Sequence, residues 1–300
     1  MRILTVAVER FPIAGTFTIA RGSKTEAVVV TATITDGARS GRGECVPYAH
    51  YGETVEGVVA KITEQAVAIG GGINRNDLQR LMPAGAARNA VDCALWDLDA
   101  KVNGQTVCEL AGIAAHRPLL KVKLGGAGDV ERIAAVRAAA PNARLIIDAN
   151  EAWTPEQFDI YVQACAAAGV EVIEQPLPAG RDEALASLPR TVPICADESV
   201  HDSRRVAELV GRYDAINIKL DKTGGLTEAL ILASRAKQLG LGIMVGCMVG
   251  TSLAMAPAML LTLGAKWVDL DGPLLLRADR PGGLRYDGSV VHPAERGLWG

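Results

Sequence analysis

Aromatic residues are scarce: 4 Trp, 5 Tyr and 3 Phe make up 4% of the 300 residues. That is too few for the stacking platform of a single-stranded nucleic-acid binder. An excess of positive charge is missing too. The 31 Lys and Arg face 34 Asp and Glu, for a net charge of −3, so no broad cationic field draws nucleic acid or an anionic membrane. Six cysteines, at 45, 93, 108, 165, 195 and 247, include no C-x-x-C pair. This spacing excludes a zinc ribbon, a thioredoxin-type motif and a disulfide scaffold, and fits a reducing cytoplasm. Residues 1–9 alternate like a strand and show no apolar leader. The charge-free run 238–265 is long enough to span a bilayer. Gly240, Gly242, Gly246, Gly250 and Pro257 interrupt it, and it divides into a strand over 242–248 and a helix over 252–263. With 49% apolar and 22% charged residues, the chain reads as an ordinary globular protein. Small-molecule chemistry is what remains.

The first hundred or so residues read as an α+β unit. Strands are expected over 2–10 and 26–35, with Arg21-Gly22-Ser23-Lys24 as a polar loop between them. Helical patterns follow near 54–69 and 86–101; in the second, Val91, Ala94, Leu95 and Leu98 form one apolar stripe. From about residue 118, short apolar strands alternate with alanine-rich helices. The strands fall at 119–124, 145–150, 172–176, 194–198, 215–220, 242–248 and 267–271. Near-continuous apolar runs suit parallel strands covered on both faces, and the alternation predicts a (β/α) barrel or a doubly wound sheet.

Polar residues intrude in one phase of this repeat. Lys123, Asp148, Glu174, Asp197 and Lys219 are separated by 25, 26, 23 and 22 residues, each at or near the C-terminal end of its strand. A closed barrel gathers such positions into one ring, where barrel active sites are built. Asp148, Glu174 and Asp197 are three hard oxygen donors without His or Cys, a set that favours Mg²⁺, or Mn²⁺, over zinc. Lys121 and Lys123, two apart on a strand, point to one face. Mutual repulsion is expected to lower a lysine pKa and make it a competent base. Lys219 arrives four strands later and faces Lys123 across the mouth. A metal between opposed lysines suits removal and return of a proton alpha to a carboxylate, by way of an enediolate.

The chain resembles the muconate-lactonising subgroup of the enolase superfamily, and within it the L-Ala-D/L-Glu dipeptide epimerases. The likeness rests on motifs spread over nearly the whole chain. They include Ala-Arg-Gly-Ser-Lys-Thr-Glu (20–26), Gly-Glu-Cys-Val-Pro-Tyr (43–48), Leu-Lys-Val-Lys-Leu (120–124) and Asp-Ala-Asn (148–150). Pro-Ala-Gly-Ala-Ala-Arg-Asn-Ala-Val-Asp-Cys-Ala-Leu-Trp-Asp-Leu (83–98), Glu-Gln-Pro-Leu-Pro (174–178), Ala-Asp-Glu-Ser (196–199), Asn-Ile-Lys-Leu-Asp-Lys-Thr-Gly-Gly-Leu (217–226) and Asp-Leu-Asp-Gly-Pro (269–273) complete them. The resemblance implies a Mg²⁺-dependent epimerase with Lys123 and Lys219 as the acid/base pair and Asp148, Glu174 and Asp197 as metal ligands. Lys121 lies beside the substrate, Asp269 and Asp271 clamp its α-ammonium, and Lys24 or Arg21 meets a glutamate side chain. Lys24 stands where the epimerases carry Arg. Asn150, Gln175 and Lys222 read either as supporting groups or as ordinary turn and ladder residues.

The implied fold is a modified TIM-type (β/α)7β barrel with an α+β capping domain. The expected division is a capping domain at 1–115, the barrel at 116–279 and a tail at 280–300 returning to the cap. Lys121 comes only nine residues after Gly112, which leaves no room for the first βα unit. Seven strands are therefore expected, with the gap masked, for instance in a homo-oligomer. Partners are a small dipeptide, with no nucleic acid and no membrane. Two other functions compete: N-acylamino acid racemase or o-succinylbenzoate synthase, and a truncated barrel serving only as a binding module.

Overall fold

The computed structural model describes residues 2–19, 22–103, 119–125 and 128–300. Strands β1 (Ile3–Ile19), β2 (Gly22–Asp36) and β3 (Arg39–Cys45) form an antiparallel sheet in the order β1-β2-β3. The first hairpin is longer than its apolar pattern: Ser23 and Lys24, expected in a loop, pair with Thr18 and Phe17 on β1. Its far end projects beyond the core, so burial writes no alternation there. Helices α1 (Val55–Thr63), α2 (Ala66–Gly70), α3 (Arg75–Leu81) and α4 (Ala86–Asn103) follow. The helix expected over 54–69 is thus two, broken at Glu64 and Gln65.

Strand β3 has no apolar signature because glycine lets it lie directly on α4. A Cβ at Gly41 would stand 2.2 Å from the Ala94 carbonyl oxygen, and one at Gly43 would stand 2.1 Å from that of Ala90.

The second sheet holds β4 (Leu120–Lys123), β5 (Leu145–Asp148), β6 (Val170–Glu174), β7 (Ile194–Ala196), β8 (Ala215–Ile218), β9 (Gly242–Val245) and β10 (Trp267–Val268). All neighbours are parallel and stand in chain order. Helices α5 (Asp129–Ala139), α6 (Pro155–Ala167), α7 (Leu220–Thr223), α8 (Leu226–Gln238) and α9 (Ser252–Ala258) cover it. Short 3-10 turns at Glu183–Ala186 and Val206–Leu209 stand in place of helices after β6 and β7. Among the described residues no helix is long and apolar enough to cross a membrane.

Seven strands are therefore present in the described barrel, as the spacing predicts. Edge strands β4 and β10 are not paired with each other, and a cavity of about 590 Å³ lies between them, lined by Leu119, Lys121, Arg144, Asp269 and Tyr286 among others. Residues 104–118, where a first unit would fall, lie outside the described residues. Each strand stops short of its expected end, β4 by one residue and the others by two or three. Those last residues leave the ladder to form the mouth.

Inside the barrel, Ile146, Val172, Cys195, Ala215, Met244 and Trp267, one from each of β5 to β10, form a buried apolar floor. Two positions on from these stand Asp148, Glu174, Asp197, Asn217, Gly246 and Asp269. Strand alternation points both sets inward, so the floor lies directly beneath the polar layer.

Polar side chains join the antiparallel unit to the barrel. Asp221 Oδ1 accepts from Val46 N (2.9 Å) and Asn89 Nδ2 (3.0 Å). Asp92 accepts from Thr227 N and Oγ1 at 2.9 and 2.7 Å. The chain's last residues return to α4: Trp299 Nε1 donates to Cys93 O (3.1 Å) and Gly300 N to Asp97 Oδ1 (2.7 Å). Arg280 reaches Glu9 and Glu44 on β1 and β3 at 2.6 and 2.7 Å.

These contacts set two expectations. Gly43→Ala should cost about 3 kcal/mol, read as a lower urea midpoint, because a backbone carbonyl cannot yield as a side chain can. Burial pushes the Asp221 pKa from 3.8 up to about 7. A folded-state acid pKa above the unfolded one means that stability falls as pH rises from about 4 to about 7. Asp221→Asn keeps an Oδ1 for both donors and carries no charge. It should match wild type near pH 4 and exceed it by up to about 4 kcal/mol at pH 8, by urea denaturation at each pH.

Candidate active site

Register builds the site. Lys123 pairs with Asp148, and Asp148 with Glu174, so these three side chains stand side by side on β4, β5 and β6. Asp197 and Lys219 follow the ends of β7 and β8 at the same rim. Lys123 Nζ lies 2.5 Å from Asp148 Oδ2, and Lys219 Nζ lies 2.6 Å from Asp197 Oδ2 and 4.0 Å from Glu174 Oε1. The two lysines thus close opposite ends of a row of three buried carboxylates. Lys121 stands within the row, 2.6 Å from Glu174 Oε2, 3.1 Å from Asp148 Oδ2 and 2.9 Å from Asp269 Oδ2. That last contact ties β4 to the end of β10, the two edges of the described sheet.

The spacing of Asp269 and Asp271 predicts alternation on one strand. Instead β10 ends at Val268, and Asp271 opens the 3-10 turn Gly272–Leu275. Their carboxyl groups still meet, and burial together with the Asp269 charge pushes Asp271 up to about 6. Lys24 belongs to β2 rather than to a loop, and its ammonium sits 5.2 Å from the centre of the Tyr48 ring. Arg21 lies outside the described residues. Asn150, in a left-handed conformation at φ 45°, donates its N–H to Asp148 Oδ1 (3.0 Å). Lys222 Nζ donates to Asp197 Oδ1 (2.6 Å) and to Asn217 O (2.9 Å).

Burial opposes every charge here, and the neighbours decide the outcome. Lys121 and Lys123 hold Asp148 below the ordinary carboxylate range, and Lys219 and Lys222 hold Asp197 well below it. Glu174 goes the other way. Burial and the Asp148 charge push it up to about 8. The expectation that mutual repulsion within the Lys121–Lys123 pair lowers a lysine does not hold for Lys121, and Lys219 is raised as well. Burial pulls both down, but Asp148 and Asp269 around Lys121, and Asp197 and Glu174 around Lys219, raise each well above an ordinary lysine. A sequence shows that two lysines share a face; it does not show how many carboxylates the fold gathers around them.

Among the described residues, no three His, Cys, Asp or Glu side chains are gathered closely enough to hold an ion as they stand, because lysine ammonium groups lie between the carboxylates. The donor set nonetheless fits a hard cation. Glu174 Oε2 is buried without a hydrogen bond, its 2.6 Å approach to Lys121 being an ion pair of poor hydrogen-bond geometry. Every candidate donor is a carboxylate oxygen.

Asn217 and an aromatic lip escape a reading of the sequence, while Gln175, one of the candidate supporting groups, joins two strand ends. Asn217 Nδ2 donates to Glu174 Oε1 (2.6 Å). Its place two residues before Lys219, in strand alternation, is the available signal. Gln175 Oε1 accepts from Asp197 N (2.8 Å) and Ser199 N (3.1 Å), which draws the ends of β6 and β7 together. Tyr48, His50 and Tyr51, with His201 from the barrel, form an aromatic lip, and His50 Nε2 lies 3.2 Å from Glu151 Oε2. No spacing in the sequence links them.

Residues 1–112 match the mandelate racemase/muconate lactonizing enzyme N-terminal domain, and residues 109–298 match the enolase C-terminal domain-like family. The chain belongs to this family of the enolase superfamily. An L-Ala-D/L-Glu epimerase of Escherichia coli (strain K12) is 42% identical over 320 residues, covering 97% of this chain and 100% of its own. An N-acetyl-D-glutamate racemase of a Pseudoalteromonas species is 42% identical over 301 residues, covering 91% and 95%. Among solved structures, an enolase family member from Agrobacterium tumefaciens with homology to dipeptide epimerases, holding sodium and L-Ala-L-Glu, superposes with TM-score 0.98 at 52% identity over 100% of both chains. A dipeptide epimerase from Enterococcus faecalis complexed with Mg and L-Leu-L-Tyr gives 0.91 at 28%, over 98% of each.

Lys121→Met leaves Asp148, Glu174 and Asp269 without their shared cation. Removing one partner of a buried ion pair costs about 3–5 kcal/mol, and a matching fall in the urea midpoint without added divalent ions is the expected result.

Proposed function

We propose that the protein is a dipeptide epimerase of the L-Ala-D/L-Glu type, an isomerase acting at the carbon alpha to the C-terminal carboxylate. The observation that carries this is the pair of lysines closing opposite ends of one carboxylate row, with Asp269 and Asp271 beside it. Asp148, Glu174 and Asp197 would hold a divalent cation, Mg²⁺ by their donor chemistry. Bound there, the ion supplies positive charge that stabilises the substrate carboxylate as the α-carbon loses its proton.

The chain's own side chains do the rest. One of Lys123 and Lys219, as the free amine, takes the α-proton onto Nζ as the C–H bond breaks. The other, as ammonium, delivers a proton to the opposite face and inverts the centre. Asp269 and Asp271 offer carboxyl oxygens to the substrate's α-ammonium. Lys24, held over Tyr48, offers a point charge to an acidic side chain where an arginine would offer a fork. The aromatic lip keeps water from the reacting carbon. A cytoplasmic enzyme, divided into a cap at 1–115, a barrel at 116–279 and a tail, and assembled as a homo-oligomer, completes the proposal.

The equally similar N-acetyl-D-glutamate racemase supports a second reading. An N-acyl substrate has no ammonium for Asp271, which separates the two. In ²H₂O with Mg²⁺, L-Ala-L-Glu should gain deuterium at the glutamate α-carbon and epimerise, and EDTA should stop both. Asp271→Asn should lower kcat/KM for the dipeptide about 10- to 100-fold and leave N-acetylglutamate untouched. Exchange with N-acetylglutamate alone would make the second reading the right one; exchange with neither substrate would remove both.

A further inference from the structure

The three carboxylates share a pattern. Each has one oxygen held by a protein donor and one turned toward a lysine. Asp148 Oδ1 accepts from Asn150 N, while Oδ2 meets Lys121 and Lys123. Glu174 Oε1 accepts from Asn217 Nδ2, while Oε2 faces Lys121. Asp197 Oδ1 accepts from Lys222, while Oδ2 meets Lys219.

The two side-chain tethers are themselves fixed. Asn217 is fully buried, and a Cβ at Gly246 would stand 2.7 Å from both its amide nitrogen and its amide oxygen. Glycine at 246 therefore keeps open the slot that the amide fills. Lys222 is buried too, and its ammonium donates to Asp197 Oδ1, Asp197 O and Asn217 O, which uses all three of its protons.

A donor on one oxygen takes up one of its lone pairs and fixes the carboxylate's orientation, so the untethered oxygen is the one presented to a cation. Three such groups give three single-oxygen contacts and leave the rest of a small octahedral shell for water and substrate. Ca²⁺ wants six to eight ligands and commonly takes carboxylates through both oxygens. We infer that Asn217 and Lys222 are positioning residues that hold Glu174 and Asp197 to one metal-facing oxygen each, and so select Mg²⁺ over Ca²⁺. The inference rests on the reading that these acids hold a divalent ion.

The test is calorimetric titration of Mg²⁺ and of Ca²⁺ into wild type, Asn217→Leu, Lys222→Met and Gly246→Ala, with circular dichroism to confirm folding. Outer partners of metal ligands typically contribute 10- to 100-fold in affinity. Mg²⁺ should bind at least tenfold more weakly to the first two variants, and the ratio of Mg²⁺ to Ca²⁺ affinity should fall at least tenfold. Gly246→Ala displaces the amide without deleting it, and should shift the ratio the same way by less. If Asn217→Leu or Lys222→Met does not fold, the ratio measured for Gly246→Ala decides the outcome.

Folded variants that bind Mg²⁺ more weakly but keep the wild-type ratio would reduce the two residues to structural roles and overturn the inference. An unchanged ratio alongside normal epimerisation by wild type would leave the epimerase reading standing. Wild type that binds neither ion would remove both.

Discussion

The barrel mouth depends on a balance of buried charge. Lys121, Lys123, Lys219 and Lys222 meet Asp148, Glu174, Asp197 and Asp269 above a floor of buried apolar side chains. Each charge would be costly alone, because burial removes its hydration. Together they are tolerated, and the arrangement has few alternatives: moving Lys121 alone takes an ammonium from three carboxylates. Glu174 is raised beside the depressed Asp148 and Asp197 because burial and the Asp148 charge outweigh what Lys121 and Lys219 supply to it.

The remaining architecture holds that cluster in place. Parallel strands in chain order deliver one inward position from each strand to the same level, and the strands end where the polar layer begins. Lys121 and Asp269 bridge the two edge strands of the described sheet, so part of the site's electrostatics also links those edges. Gln175, at φ 35°, spends its amide on joining the ends of β6 and β7. Strain of this kind persists where surrounding hydrogen bonds over-determine it.

The antiparallel unit is tied to the barrel through apolar packing, Ile13 and Ala27 with Leu276 and Val29 and Val46 with Met248, and through polar contacts. Asp221 with Val46 and Asn89, Asp92 with Thr227, and Arg280 with Glu9 and Glu44 orient β3 and the segment after it. That segment carries Tyr48, His50 and Tyr51 over the mouth. Tyr48 in turn supports Lys24. The lip and the residue proposed to meet the substrate side chain therefore share one anchorage, although they sit on different stretches of sequence.

Much of this was legible in the chain alone. The repeat of apolar runs, with acids and lysines in one phase, predicts parallel strands whose ends converge, because a charge at the end of a buried strand survives only among partners. Elements without burial contrast were not legible. Strand β3 presents glycines to a helix, the tip of the first hairpin leaves the core, and α1 and α2 share one apolar pattern across a break. The sequence determined which residues carry the chemistry, since side-chain type and a period of two or about 25 are local properties. Tertiary structure alone decided how they are charged and which oxygen each acid presents. Those depend on neighbours such as Asn217, Lys222 and Asp269, brought from tens to more than a hundred residues away, and on the low dielectric that folding creates around them.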